Sequence, residues 1–276
     1  MTSTMTSSIR EIYAKSVLTK TRLPGANYVI NPYVGCHVGC TYCYAAFMRR
    51  FTNHPEPWGK FVDVKINAPS VLEREIQKAK KGIVLLSSVT DPYQPLEKKY
   101  ELTRKILHCL CKHQWPVSIL TKRNLVLRDI DVLKQFETCE VGFSISSLCD
   151  KDRIIFEPAS STVHEKIEAL KVLHKQQIET YAFIGPVLPG ITNVSEIISK
   201  IRDYVSEVWV EAMNFKAAHQ TGFFYERLRA RRPDLVASYK AIEKDGRAYF
   251  DGLKREVEKL RKEEKIEITL VMHENN

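Results

Sequence analysis

Hydrophobic residues follow two different spacings along this chain, and their alternation predicts the fold class. Short apolar runs rich in β-branched residues, typical of strands, are separated by longer segments with apolar residues at helical spacing. The six predicted strands lie at about residues 28–34, 83–88, 117–121, 141–146, 180–184 and 208–212. A strand roughly every 30 residues with a helix in between is the rhythm of βαβ units, which form a parallel sheet.

The helical segments support the same architecture. In residues 97–112, for example, Leu102, Ile106 and Leu110 fall on one helix face. The other predicted helices are 45–51, 128–136, 163–176 and 194–204. Six parallel strands are too few for a closed eight-stranded barrel, so we predict an α/β fold built as a partial (β/α)6 barrel of the TIM type.

The chain ends suggest additions to this barrel. We assign residues 1–27 to an N-terminal extension, 28–215 to the barrel and 216–276 to a C-terminal extension that packs on the barrel and closes its open side. The extension reads as a charged helix pair over 234–262, broken at 245–246, followed by a strand at 266–272.

Polar residues follow several of the predicted strands, where aliphatic loops would have sufficed. In barrels of parallel strands, chemistry gathers at the carboxyl ends of the strands. The candidates at this rim are Ser88, Thr90, Asp91, Ser144, Ser146 and Glu157. Any one of them is explained by a turn or a helix cap. Several polar segments at the same rim instead favour a binding site for a polar cofactor.

Three cysteines form the most informative motif of the chain. Cys36, Cys40 and Cys43 have the spacing C-x3-C-x2-C, with glycines directly before the first two. Thiolates are soft ligands for iron, and a tight loop lets three of them converge on one cluster. A structural zinc site or an electron-transfer cluster takes four protein ligands, so a trio leaves one metal position open. A closed site with His37 as fourth ligand is the alternative.

Composition restricts the class of protein. The 276 residues are 44% hydrophobic and 27% charged, as in an ordinary globular protein. No apolar run reaches the roughly 18 residues that span a bilayer, and the polar first eight residues do not resemble a signal peptide. Seven cysteines, an odd number, favour a reducing compartment. We therefore expect a cytoplasmic protein without membrane contact.

The chain carries a net charge of +9. This excess favours a polyanionic partner such as nucleic acid. Many basic residues, however, lie in the C-terminal quarter and alternate with acidic ones, as on a solvated helix face. Charge alone therefore leaves a nucleic-acid partner open.

The cysteine segment, with Tyr42 before the last cysteine, resembles the signature of the radical SAM superfamily. Further motifs resemble its spore photoproduct lyase-like branch: N-P-Y-x-G-C-x3-C-x2-C-Y-A, T-D-P-Y-Q-P, T-K-R-N, F-S-I-S and F-E-P. The likeness covers roughly residues 28–214.

This resemblance implies a [4Fe–4S] cluster on Cys36, Cys40 and Cys43, with S-adenosylmethionine (SAM) on the fourth iron. It implies reductive cleavage of SAM to a 5′-deoxyadenosyl radical, which abstracts hydrogen from a substrate. It also implies a reductase or a flavodoxin- or ferredoxin-type protein as electron donor. The SAM contacts that it implies come from Tyr42, Thr90, Ser144, Ser146 and Lys166.

The hydrogen donor of the lyase does not carry over. The true lyase places a cysteine where this chain has Ser88, and a hydroxyl is a far poorer hydrogen-atom donor than a thiol. The catalytic candidates are therefore Cys149, just past the fourth strand, and Tyr93, beside the proposed pocket. For Tyr93 a packing role is the competing interpretation.

Three functions stay open on the sequence. The first is a radical SAM enzyme acting on a modified or damaged nucleic acid, in a reaction similar to DNA repair. The second is radical modification of a peptide or a small metabolite. The third, from another class, is a non-catalytic nucleic-acid-binding module whose metal cluster is closed by a protein ligand.

Overall fold

The computed structural model describes residues 7–273. Its strands are β1 (Ser8–Ile12), β2 (Thr19–Lys20), β3 (Tyr28–Ile30), β4 (Tyr33–Val34), β5 (Phe61–Lys65), β6 (Val84–Leu86), β7 (Val117–Thr121), β8 (Cys139–Ser144), β9 (Glu179–Val187), β10 (Glu207–Ala212) and β11 (Glu267–Val271). Its α-helices are α1 (Ala68–Ile76), α2 (Glu97–Tyr100), α3 (Leu102–Lys112), α4 (Ile130–Leu133), α5 (Asp150–Phe156), α6 (Val163–Lys175), α7 (Val194–Ile201), α8 (Phe215–Gln220), α9 (Phe224–Arg231), α10 (Val236–Lys244) and α11 (Arg247–Glu263). Short 3-10 helices span Tyr44–Phe51, Asn124–Asp129, Arg202–Tyr204 and Pro233–Leu235.

The main sheet has the strand order β11-β10-β9-β8-β7-β6-β3-β2. Every neighbouring pair is parallel except β2 with β3, which is antiparallel. The six predicted strands therefore lie side by side in chain order, as the βαβ rhythm indicated. The sheet is open within residues 7–273, with β2 at one edge and β11 at the other, so the barrel is not closed.

One apolar core joins this sheet to its helices. Each of the helices α3, α6 and α7 turns apolar side chains toward the strands, in keeping with their helical spacing. The helix residues in this core include Ile106, Leu110, Leu170, Leu173, Ile197 and Ile198. Each fully buried side chain of this size contributes roughly 1.5–3 kcal/mol to folding. The core thereby fixes the strand ends from which the polar loops project.

A second, smaller sheet was not predicted. It has the order β1-β5-β4, with β1 parallel and β4 antiparallel to β5. The predicted first strand over 28–34 is consequently wrong as a single element, because the chain leaves the main sheet between β3 and β4. Pro32 lies at this break and has no amide hydrogen to donate to a ladder. Asn31 beside it accepts the backbone N–H groups of Ser88 and Val89, each at 3.0 Å.

Some predicted helices are interrupted. The segment 97–112 breaks into α2 and α3 at Glu101, which adopts a left-handed conformation with φ 53°. Glu97 explains the break, because its buried carboxylate accepts the N–H groups of Thr103 at 3.0 Å and Arg104 at 3.3 Å. These are free donors at the start of α3, so the carboxylate caps the second helix. The predicted helix over 45–51 is a 3-10 helix.

The C-terminal segment adds to the sheet and also covers the cysteine loop. β11 pairs with β10, and Leu253, Val257 and Leu260 of α11 enter the main core. The helices α8 to α10 pack against the cysteine segment in a separate apolar cluster, with Phe224 and Tyr239 buried. The break between α10 and α11 lies where the sequence indicated. Within residues 7–273 no helix is long and apolar enough to cross a membrane.

Gly35 fixes how closely the cysteine loop approaches β5. It has φ +86°, and a Cβ at this position would lie 2.4 Å from the backbone oxygen of Phe61. We expect Gly35→Ala to lower the free energy of unfolding by about 1–3 kcal/mol more than Gly25→Ala does. Gly25 is a matched control, since it has φ +74° but no heavy atom within 4 Å of the added Cβ. Urea denaturation of both metal-free variants measures the difference, and equal losses would contradict the close approach.

Candidate functional site

The cysteine loop lies between β4 and the 3-10 helix Tyr44–Phe51. Cys36 and Cys40 are buried, Cys43 is half-buried, and all three are free thiols. Two long-range hydrogen bonds hold the loop: the N–H of Thr41 donates to the Phe156 oxygen at 2.8 Å, and the Thr221 hydroxyl donates to the Thr41 oxygen at 2.5 Å. The second bond ties the C-terminal extension directly to the residues between the cysteines.

The loop after β6 clamps the other end of the cysteine loop. The Thr90 hydroxyl donates to the Gly35 oxygen at 2.8 Å. The buried amide of Gln94 accepts the His37 N–H at 3.0 Å and donates to the Thr90 hydroxyl at 3.0 Å. Thr90, a predicted SAM contact, therefore anchors the cysteine loop through its hydroxyl. Gln94 was missed, although it lies within the T-D-P-Y-Q-P motif that the sequence displayed.

The three thiols affect one another electrostatically. Burial raises the pKa of Cys36 to about 12, with further contributions from Asp91 and Cys43. Burial also raises the pKa of Cys40, as do Cys43 and Cys36, while Lys122 opposes the shift. In the part of the chain that the structure describes, no group of three or more His, Cys, Asp or Glu side chains is already arranged as a metal site. The loop thus brings three thiols close together, but the described residues do not form a complete set of metal ligands.

Unpartnered polar atoms test whether this loop suits an iron–sulfur cluster. Among the described residues, four buried side-chain atoms have no hydrogen-bond partner: Thr41 Oγ1, Trp58 Nε1, Arg123 Nε and Tyr239 OH. Thr41 lies between two of the cysteines, and Trp58 and Tyr239 share the apolar cluster of the loop. Buried polar groups are nearly always paired, so unpaired ones beside three thiols fit a bound group with acceptor sulfurs.

A buried charge cluster lies next to the cysteines and centres on Glu157. Lys166 donates to Glu157 Oε2 at 2.8 Å and Ser146 donates to Oε1 at 2.9 Å, while the Tyr42 hydroxyl also donates to Oε1. Burial would raise the pKa of Glu157, but Lys166 and Lys122 hold it at about 2. Burial lowers the pKa of Lys166, and Glu157 partly offsets this. Four predicted cofactor residues (Tyr42, Ser146, Glu157 and Lys166) are therefore brought into one network.

Lys122 completes this network and was not predicted. Its ammonium donates to the Ser144 hydroxyl at 2.5 Å and lies 3.8 Å from Glu157 Oε1. Burial would lower its pKa, but Glu157, Cys40 and Asp91 raise it above its usual value. Lys122 lowers the pKa of Cys40 and of Cys43, whereas Glu157 raises that of Cys40. The T-K-R-N motif contained this signal, although the motif gave no role to Lys122.

Two other candidates, Asp91 and Ser88, are engaged by the chain itself. Asp91 accepts the Thr121 hydroxyl at 2.7 Å and the backbone N–H groups of Tyr93 and Lys122, each at 2.8 Å. The Ser88 hydroxyl accepts from the Asn31 amide at 3.4 Å. Asp91 and Ser88 thus lock the loops that carry the site.

The remaining candidates lie apart from the charge cluster. The Tyr93 ring is fully buried and its hydroxyl donates to Asp129 at 3.1 Å, which corresponds to the packing interpretation. Cys149 is exposed directly before α5, and its backbone N–H donates to the Ser147 hydroxyl at 3.0 Å. The His37 ring pairs through Nε2 with the Ser7 hydroxyl at 2.6 Å. These contacts give neither Tyr93 nor His37 a partner among the cysteines.

A surface cavity of about 610 Å³ lies beside the 3-10 helix after the cysteine loop. Its lining residues are Ala46, Phe47, Arg49, Arg50, His54 and Gln220. None of the predicted cofactor residues lines it. We therefore place the candidate site at the Glu157 network and the cysteine loop, and not in this cavity.

Comparison with known proteins agrees with this geometry. A family model described as the Radical SAM superfamily matches residues 30–201, which include the three cysteines and the Glu157 network. An uncharacterized protein of Methanocaldococcus jannaschii is 37% identical over 236 residues, covering 86% of this chain and 89% of that protein.

Two further likenesses are more distant. A radical SAM Nalpha-GlyT isomerase of Pseudomonas phage M6 is 24% identical over 194 residues, covering 69% of this chain and 37% of the isomerase. A mutant spore photoproduct lyase with bound AdoMet and dinucleoside spore photoproduct superposes with a TM-score of 0.61 at 15% identity. This match covers 81% of the chain and 67% of the lyase chain. At this identity the likeness to the lyase establishes a shared fold.

The Glu157 network gives a stability prediction. Glu157→Gln leaves the buried Lys166 and the partly exposed Lys122 without their carboxylate, and removing one partner of a buried pair costs about 3–5 kcal/mol. We expect a loss of this size in the unfolding free energy of the metal-free protein, measured in urea. The double variant Glu157→Gln/Lys166→Met should recover part of the loss, because it also removes a buried charge.

The matched control is Glu258→Gln, which makes the same change on an exposed face of α11. Its effect should stay within about 0.5 kcal/mol. Equal losses for Glu157→Gln and Glu258→Gln would show that the network does not stabilise the fold.

Proposed function

The chain belongs to the radical SAM superfamily, and we propose that it is an enzyme that reductively cleaves SAM at a [4Fe–4S] cluster and abstracts hydrogen from a substrate. The observation that carries this proposal is the loop of three thiols beside the buried ion pairs of Glu157 with Lys166 and Lys122, within the segment that the family model matches. We further propose that the parallel strands form the partial (β/α)6 barrel and that the enzyme works in the cytoplasm.

In this proposal Cys36, Cys40 and Cys43 would hold the cluster, and SAM would bind beside them. When bound, the cluster would supply the electron for reductive cleavage of SAM. A reductase or a flavodoxin- or ferredoxin-type protein would be the electron donor. The helices α8 to α10 cover the loop and exclude water from it, which protects a reactive radical.

The charged network orients SAM. SAM carries an ammonium and a carboxylate at its methionyl end, and the site offers a carboxylate at Glu157 and an ammonium at Lys122. Tyr42, Ser146 and Lys166 hold Glu157 in place through three hydrogen bonds. We propose that these three act through Glu157, while Lys122 and Ser144 lie closest to the cofactor.

The substrate proposed here is a modified or damaged nucleic acid. The net charge of +9 supports a polyanionic substrate. The fold shared with a lyase that was solved with a dinucleoside spore photoproduct supports the same class. The lyase reaction itself is not proposed, because Ser88 stands where the lyase has its hydrogen-donating cysteine.

The first experiment tests radical generation. After anaerobic reconstitution with iron and sulfide, the protein with dithionite and SAM should form 5′-deoxyadenosine. Cys40→Ala should form none and bind less iron, since one of three ligands is lost. Cys111→Ala is the matched control: Cys111 is also a buried thiol but lies in α3, and the change should leave product formation unaltered.

A reconstituted four-iron cluster that yields no 5′-deoxyadenosine and shows no spectral change with SAM would overturn the enzyme assignment. It would favour the non-catalytic module, whose cluster is closed by a protein ligand.

The second experiment tests the substrate class. A protein that neutralises about three phosphates should bind an oligonucleotide roughly tenfold or more weakly when salt rises from 50 to 200 mM. Fluorescence anisotropy with a labelled oligonucleotide measures this. Absence of binding at 50 mM salt would argue against nucleic acid and in favour of a peptide or small metabolite.

A further inference from the structure

Trp58 lies in the segment between the first 3-10 helix and β5, which the sequence presents as a plain loop. In the structure its side chain is 4% exposed and packs edge-on against Phe61, with ring centres 5.8 Å apart. The next residue, Gly59, approaches Gly39 of the cysteine loop so closely that an added Cβ would lie 3.0 Å from the Gly39 Cα. The Trp58 segment is therefore in direct contact with the cysteine loop.

The indole N–H of Trp58 is buried and has no hydrogen-bond partner among the described residues. Trp58 lies in the same apolar cluster as Cys36 and Cys40, and Cys43 packs against that cluster. An unpaired N–H near a sulfur forms a stronger hydrogen bond when the sulfur carries negative charge than when it is a neutral thiol. Thiolates and cluster sulfides meet this condition.

Packing alone does not account for this residue. A phenyl ring would fill apolar space beside Phe61 without burying a donor, and an unpaired buried N–H reduces stability.

We propose that Trp58 is a tuning residue whose indole N–H donates a hydrogen bond to a sulfur of the assembled cluster and raises the cluster's reduction potential. The inference rests on the proposed function. Reduction adds negative charge to the cluster, so a hydrogen bond to sulfur stabilises the reduced state more than the oxidised one. Trp58 thereby makes the cluster easier to reduce by its electron donor.

The experiment compares Trp58→Phe with the wild-type holoenzyme. The midpoint potential is measured by redox titration, with the EPR signal of the reduced cluster as readout and iron content measured in parallel. We expect a shift to more negative potential with unchanged iron content. Trp115→Phe is the matched control, because Trp115 is equally buried but packs edge-on against Tyr28 in the main core. Its potential should equal that of the wild type.

A second variant separates the hydrogen bond from packing. Benzothienylalanine at position 58, introduced by amber suppression, replaces the N–H by sulfur in a ring of nearly the same shape. It should reproduce the negative shift even if Trp58→Phe loses its cluster. A benzothienylalanine variant with the wild-type potential would overturn the proposal while leaving SAM cleavage intact. Failure of the wild type to assemble a four-iron cluster would instead overturn the proposed function, and this inference with it.

Discussion

The candidate site depends on one buried carboxylate held between two lysines. Glu157 is fully buried, and it is stable as an anion because Lys166 bonds one of its oxygens while Lys122 faces the other. A buried charge persists when it is paired and hydrogen-bonded, which explains why Tyr42 and Ser146 also donate to it. The cysteine loop, the end of β7, the segment after β8 and α6 each contribute one of these donors. Four separate parts of the chain are therefore positioned by one group.

The cysteine loop needs additional restraint, because its own backbone forms little regular structure. Glycines with positive φ give the loop its tight turns, and its carbonyl and N–H groups are taken up by neighbours. Gln94 binds it from the β6 side, and Thr221 binds it from the C-terminal extension. The extension thus does more than add a strand at the β10 edge: it covers the surface on which a cluster would otherwise meet water.

Most of the sheet could be predicted from the sequence, because apolar periodicity is a local property. The mostly parallel sheet, the break between α10 and α11 and a strand near residues 266–272 agree with the sequence for this reason. The small sheet could not be predicted, since two-residue strands such as β4 give no periodic signal. The interruption at Glu101 depends on a capping carboxylate whose partners lie across the break, and a single helical pattern does not reveal it.

The candidate site shows the same difference between local sequence patterns and contacts that form only through the fold. Cysteine spacing is local and identified the loop. Gln94 and Lys122 lie in motifs that the sequence displays, but their contacts with the loop and with Glu157 form only through the fold, and Trp58 lies outside these motifs. The sequence also could not predict which candidate residues bind one another. Lys166 lies in α6 and meets Glu157 only when this helix packs beneath the strand ends.

The surroundings of Ser88 bear on the proposed radical chemistry. The Ser88 hydroxyl accepts a hydrogen bond from the Asn31 amide, and the motif resemblance aligns this residue with the donor thiol of the lyase. An O–H group resists hydrogen-atom abstraction far more than a thiol does, so Ser88 would be a poor hydrogen donor in the proposed reaction. Cys149 carries the one thiol that follows a parallel strand at its carboxyl end, apart from the cysteine trio, and it is exposed. In the proposed reaction, hydrogen transfer from Cys149 would therefore require a substrate that reaches the surface beside α5.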